Sequence, residues 1–107
     1  MASATTNTSD LADQVIDTLR AHEAELRAAG IRRLSLFGSV ARGDFEAESD
    51  VDIAIELDPD ARMDLLRLIA TERHIAGWLG RRVELSPEPV EKKRLQVNID
   101  RDRRRAF

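Results

Sequence analysis

The stretch LFGSVARGDFEAESDVDIAIEL, residues 36 to 57, decides how this chain is read. Gly38 and Ser39 end one apolar run, and Asp50 and Asp52 open another. Side chains alternate along a strand, so residues two apart share a face. Val51, Ile53, Ile55 and Leu57 then form an apolar face, and Asp50, Asp52, Ala54 and Glu56 form the other. The two aspartates are held ~6.5–7 Å apart at the backbone, and like charges so placed repel. A divalent cation relieves that repulsion. Mg²⁺ takes oxygen ligands and keeps water or substrate phosphates in its remaining positions.

The flanking sequence supplies what such a site needs. In GRRVELS (80–86), Val83 and Leu85 alternate with Glu84. If this strand lies beside the one carrying Asp50 and Asp52, Glu84 projects from the same face. Two metals bridged by carboxylates are the usual device for in-line phosphoryl or nucleotidyl displacement. Glycine at position 38 lets the backbone approach a ligand closely, the amides after it can point at phosphate oxygens, and Ser39 adds a hydroxyl. Arg42, in the same connection, can meet a phosphate or brace the loop.

The remaining chain reads as one α/β layer domain, a short mixed sheet flanked by helices, in the order α-β-β-α-β-α. Ser9 or Asp10 can cap a helix running to about Ala29, with Gly30 as its stop. IRRLSLFG (31–38) is a strand, residues 39–49 are a polar connection, and DVDIAIEL (50–57) is the second strand. Residues 61–79 have helical spacing, with Met63, Leu65, Leu66, Leu68 and Ile69 as a broad apolar face. Residues 87–107 are a last helix or a frayed tail. Residues 1–8, rich in Ser, Thr, Ala and Asn, are expected to be a disordered lead-in to a domain spanning 9–107.

Bulk properties exclude several classes. The 107 residues carry 17 basic and 20 acidic side chains, a net charge of −3, so no overall field draws the chain to nucleic acid or an anionic membrane. The absence of cysteine removes disulfides, thiolate metal sites and cysteine nucleophiles. Neither a membrane span nor a secretory signal is recognisable, which makes the cytoplasm the expected location. GSVARG has Asp44 where a P-loop needs lysine, and DFEAESDVD lacks the spaced ligands and glycine of an EF-hand. His22 reads as a helix-surface or packing residue, and His74 with Trp78 as an interior or interface pair. The basic tail, Lys92 to Arg105, reads as a solvated face, with partner docking as the sharper alternative.

FGSVARGDFEAESDVDIAIEL together with GRRVELSPEPV resembles the minimal nucleotidyltransferases of the DNA polymerase β superfamily, encoded beside HEPN-domain toxins in type VII-like toxin–antitoxin modules. The signature of Gly-Ser, ten residues, Asp-x-Asp and a later acid falls on Gly38, Ser39, Asp50, Asp52 and Glu84. The resemblance implies the polymerase-β-like nucleotidyltransferase fold and transfer of AMP from ATP to a tyrosine of the partner HEPN toxin. It implies that Gly38 and Ser39, with Arg42 beside them, hold the triphosphate. Asp50, Asp52 and Glu84 would then ligate Mg²⁺ and form the catalytic set. In close relatives the third acid is commonly aspartate. Glu84 is one methylene longer, which leaves open a second reading: a weak or inert module that neutralises the toxin by binding it. A third reading, transfer to a small alcohol or an RNA end, is disfavoured by the absence of a second helical domain and of a dominant basic surface.

Overall fold

The computed structural model describes residues 8–107, so the expected lead-in lies, apart from Thr8, outside the described residues. In chain order the elements are α1 (Thr8–Ala21), α2 (Glu23–Ala28), β1 (Ile31–Phe37), α3 (Gly38–Arg42), β2 (Val51–Leu57), α4 (Leu65–Leu79), β3 (Val83–Pro87), α5 (Lys93–Asp102) and β4 (Arg104–Arg105). The strands form one sheet in the order β3-β2-β1-β4. β1 runs antiparallel to β2 and to β4, and β2 runs parallel to β3. A parallel pair needs a crossover, and α4 is that crossover.

Each sheet face has its own cover. Leu34 and Leu36 of β1 pair with Ile55 and Ile53 of β2 and pack under α1, whose Ala12, Val15, Ile16 and Leu19 repeat at helical spacing. A register shift between Ile31 and Arg33 returns Ile31 to this same core face and leaves Arg32 and Arg33 outside. On the other face Phe37 and Ala54 are buried under Ile99 of α5, with Val90 and Leu95 alongside. Asp52 lies on this second face, level with Phe37.

Several expectations need correcting. The first helix does not run unbroken to Ala29. It breaks at His22, whose ring stacks on Trp78 of α4 with centroids 3.6 Å apart and whose Nδ1 lies 2.8 Å from Glu25 Oε1. Ser9 and Asp10 lie inside the first turn of α1 rather than before it. The polar connection after β1 begins with a short helix, α3, which ends at Gly43 with φ +85°. α4 starts at Leu65, because the Asp64 carboxylate accepts a hydrogen bond from the Arg67 amide and caps it. Its broad apolar face is only partly used. Leu68, Thr71, Ile75, Trp78 and Leu79 pack inward, whereas Leu65 and Leu66 are 69% and 77% exposed.

The end of the chain is not frayed. β4 joins the free edge of β1, and Ala106 and Phe107 enter the main core. The Arg20 Nε donates to the Ala106 carbonyl at 2.7 Å, and the Arg27 guanidinium sits 4.9 Å above the Phe107 ring. Among the described residues no helix is long and apolar enough to cross a membrane.

Candidate active site

The corner between β1 and α3 is shaped by Asp52. Gly38 has φ +79°, a left-handed conformation that side chains rarely adopt. A Cβ there would drive into the Asp52 carboxylate, with its Cγ only 3.1 Å away. Two separate constraints therefore call for glycine, the left-handed backbone and the Asp52 carboxylate lying directly against it. Gly38 and Ser39 open α3, whose first amides have no partner within the helix. The Ser39 carbonyl accepts from the amides of Gly43 and Asp44 at 2.9 and 3.0 Å, which closes the turn.

The third acid comes from the neighbouring strand. Asp52 is the register partner of Glu84 across the parallel β2–β3 pair, so the two side chains share a face. Glu84 is exposed and Asp52 is half-buried. Burial pushes the Asp52 carboxyl up to about 6, and the negative charges of Glu84 and Asp50 push the same way, with Arg42 opposing them. Asp50 stands just before β2, where Arg82 Nε approaches its Oδ1 to 3.1 Å. That contact is an ion pair without hydrogen-bond alignment, and the oxygen, shielded from solvent, accepts no hydrogen bond. A buried carboxylate oxygen without a donor suits a hard cation.

Asp50 and Glu84 line an open groove of about 390 Å³ with Glu72, Arg73, Ala76, Arg82 and Val83. The three acids thus gather at one end of β2 and β3, but they do not converge further. Among the described residues no three acidic, histidine or cysteine side chains stand close enough to hold a metal ion already. Asp50 is instead ion-paired with Arg82.

Arg42 braces the loop, and its charge also reaches Asp52. It holds Asp44 through Nε at 3.0 Å and Asp102 of α5 through Nη1 at 2.8 Å. Asp102 is only 4% exposed at its side chain, and the hydrogen bond from Arg101, then that from Arg42, hold its carboxyl below the usual carboxylate range.

The residues that support the site were not legible beforehand. Asp102 reaches Arg42 across 60 positions. Glu72 of α4 accepts the Leu85 amide at 3.0 Å and fixes β3 beside Glu84. Arg81 Nη1 reaches the Ala47 and Ser49 carbonyls and lies over the Phe45 ring, pinning the loop that delivers Asp50. The paired arginines of GRRVELS were the one local sign of these last contacts.

The sequence pattern of the nucleotidyltransferase domain matches residues 19–107, from the end of α1 through β4. The chain belongs to the nucleotidyltransferase domain family. This nucleotidyltransferase is 36% identical over 74 residues to the protein adenylyltransferase MntA of Thermococcus cleftensis, covering 68% of this chain and 73% of that one. Its fold is shared with a toxin–antitoxin complex crystallised with AMP-PNP, at a TM-score of 0.66 and 20% identity, covering 89% of this chain and 71% of that one. It is also shared with the MNT antitoxin complex of a tri-AMPylated HEPN toxin from Shewanella oneidensis, at a TM-score of 0.59 and 17% identity, covering 94% and 71%. The expected fold is therefore the observed one.

Proposed function

We propose that this nucleotidyltransferase is a cytoplasmic antitoxin that transfers AMP from ATP to a tyrosine of a partner HEPN-domain toxin and so silences it. The observation that carries the reading is the half-buried Asp52, pressed against the Gly38 backbone and level with Glu84 on the next strand. The printed activity of the Thermococcus relative and the AMPylated toxin of the Shewanella complex point the same way. The chain itself contains no tyrosine, so a tyrosine acceptor must come from another molecule.

In the transfer, the phenolic oxygen attacks the α-phosphorus, the bond to the bridging α–β oxygen breaks, and pyrophosphate leaves. Gly38 and Ser39 hold the triphosphate through backbone amides and a hydroxyl. Glu84, on the open side of the groove, receives the phenolic proton. Asp50, Asp52 and Glu84 would hold Mg²⁺, which when bound supplies positive charge for the triphosphate and the departing pyrophosphate. The Asp50 oxygen, which accepts no hydrogen bond, and the negative charges that act on Asp52 suit that ion. Arg42 keeps α3 in place.

Incubation of the chain with labelled ATP, Mg²⁺ and the purified HEPN toxin tests the proposal. Label is expected on a toxin tyrosine and is expected to fall at least ~10²-fold in Asp52→Asn. The second reading, neutralisation by binding alone, draws on Glu84 being one methylene longer than an aspartate at that place. Silencing of the toxin that persists undiminished in Asp50→Asn/Asp52→Asn would establish that reading instead.

A further inference from the structure

The strand pairing that sets Glu84 beside Asp52 also sets a residue beside Asp50. Val51 pairs with Val83 and Asp52 with Glu84 in parallel register. One step back along both strands, the Val51 amide donates to the Arg82 carbonyl at 2.9 Å, and the Arg82 side chain meets Asp50. Alternation then puts Asp50, Asp52, Arg82 and Glu84 on one face, three carboxylates and one guanidinium. Arg82 belongs to the same patch as the acids, and with Asp50 and Glu84 it lines the groove of about 390 Å³.

Three observations bear on its role there. Its Nε lies 3.1 Å from Asp50 Oδ1, the oxygen shielded from solvent, yet the pair lacks hydrogen-bond alignment. A charge contact of this kind costs little to break, because no hydrogen bond is lost with it. The Arg82 side chain is 80% exposed, so its guanidinium is held by that one contact. The adjacent Arg81 is its opposite, anchored by the Ala47 and Ser49 carbonyls and lying over the Phe45 ring. A guanidinium fork also meets a phosphate through two parallel hydrogen bonds, a better partner than a misaligned carboxylate.

We infer that Arg82 is a displaceable counter-ion of Asp50, which yields the carboxylate to an incoming divalent cation and pairs instead with the phosphates that accompany it. The inference rests on the reading of this site as one for Mg²⁺ and ATP, and adds a positioning residue to it. A cation arriving alone competes with Arg82 for Asp50. A cation arriving with a triphosphate gives the displaced guanidinium a new partner. Cation and nucleotide therefore strengthen each other's binding, and Arg82 carries part of that coupling.

The test is the affinity of the purified chain for Mn²⁺, read from the paramagnetic resonance of the free ion, with and without AMP-PNP. Arg82→Gln is expected to bind Mn²⁺ alone at least ~3-fold more tightly than the parent. Arg73→Gln removes the same charge from the same groove wall but not the Asp50 contact, and is expected to change that affinity less than ~2-fold. AMP-PNP is expected to tighten Mn²⁺ binding to the parent, and this gain is expected to shrink at least ~3-fold in Arg82→Gln. Parental Mn²⁺ affinity in Arg82→Gln, or an equal gain in Arg73→Gln, would overturn the competition for Asp50. An undiminished AMP-PNP gain in Arg82→Gln would overturn the handover to phosphate. The two readings fail separately: if the parent binds Mn²⁺ with AMP-PNP but labels no toxin tyrosine, the transfer proposal is lost, and these affinities still decide the role of Arg82.

Discussion

Asp52 occupies a strand position that burial would reserve for an apolar side chain, and its charge is disfavoured by its surroundings. Its carboxyl titrates at about 6, against 3.8 ordinarily, with burial as the largest cause and Glu84 next. The sign follows from linkage. A carboxyl whose folded pKa is raised leaves stability untouched below about 4, where both states are protonated. It costs stability increasingly as pH rises from there through 6, because the folded state must ionise against its surroundings. Asp52→Asn is therefore expected to stabilise the unliganded protein at pH 7, by on the order of 1 kcal/mol once solvent screening of a half-exposed group is allowed for. The gain should vanish near pH 4, which thermal melts across pH 4 to 8 would check. At this scale the sequence was informative. Strand alternation put Asp50 and Asp52 on one face, Glu84 joined them only on the condition that its strand lay beside theirs, and the family resemblance gathered all three acids with Gly38 and Ser39. It did not tell which acid would be buried, since that depends on how far α3 folds back over β2.

Elements are joined by contacts that no local pattern announces. Arg42 and Asp102 tie α3 to α5, and the Asp102 side chain is almost wholly shielded. Asp102→Asn keeps the shape and weakens the charge-assisted hydrogen bonds from Arg42 and Arg101. It is expected to cost about 1–2 kcal/mol at pH 7. Because the Asp102 carboxyl sits below its ordinary range, its stabilisation holds above pH 4 and is lost only as pH falls through the lower folded value. The same variant is expected to raise KM for ATP several-fold with a smaller change in kcat, since it loosens the corner without removing an acid. Steady-state kinetics and urea titrations read both effects. The periodicity of α4 was recognised from sequence, but its buried side was not. Met63, Leu65, Leu66, Leu68 and Ile69 form an apolar set broad enough for either orientation, and the Asp64 cap and the β2–β3 crossover settle which stripe faces inward. The break at His22 escaped notice because His and Glu are ordinary helix residues, and only Trp78, 56 positions away, gives His22 a reason to turn.

The whole molecule is a sheet with two unequal covers. The larger core lies under α1 and α4, and the smaller one, Phe37 and Ala54 beneath Ile99, lies under α5. Asp52 and Glu84 share the face of the smaller cover, so the integrity of that layer bears on the candidate site more than on the stability of the fold as a whole. Ile99→Ala is expected to cost about 2–4 kcal/mol and to leave a chain that keeps its α1-side core. Hydrogen exchange should then show α5 and β4 opening before β1 and β2. The tail was read from sequence as a helix or a frayed end, because Arg-rich runs are usually solvated. Its anchoring through Phe107, Arg20 and Arg27 is a long-range packing result that charge patterning could not convey.

The stack of Trp78 on His22 also gives the molecule an optical reporter of its own. The chain has one tryptophan and no tyrosine, so its ultraviolet emission comes from a single indole lying flat, at 3°, on an imidazole. Stacking on the imidazole shields this indole, so its emission should shift when α4 separates from the α1–α2 junction. A dye-free fluorimeter can thus watch the contact between these helices in real time, while any tyrosine absorbance in a mixture belongs to whatever else has been added.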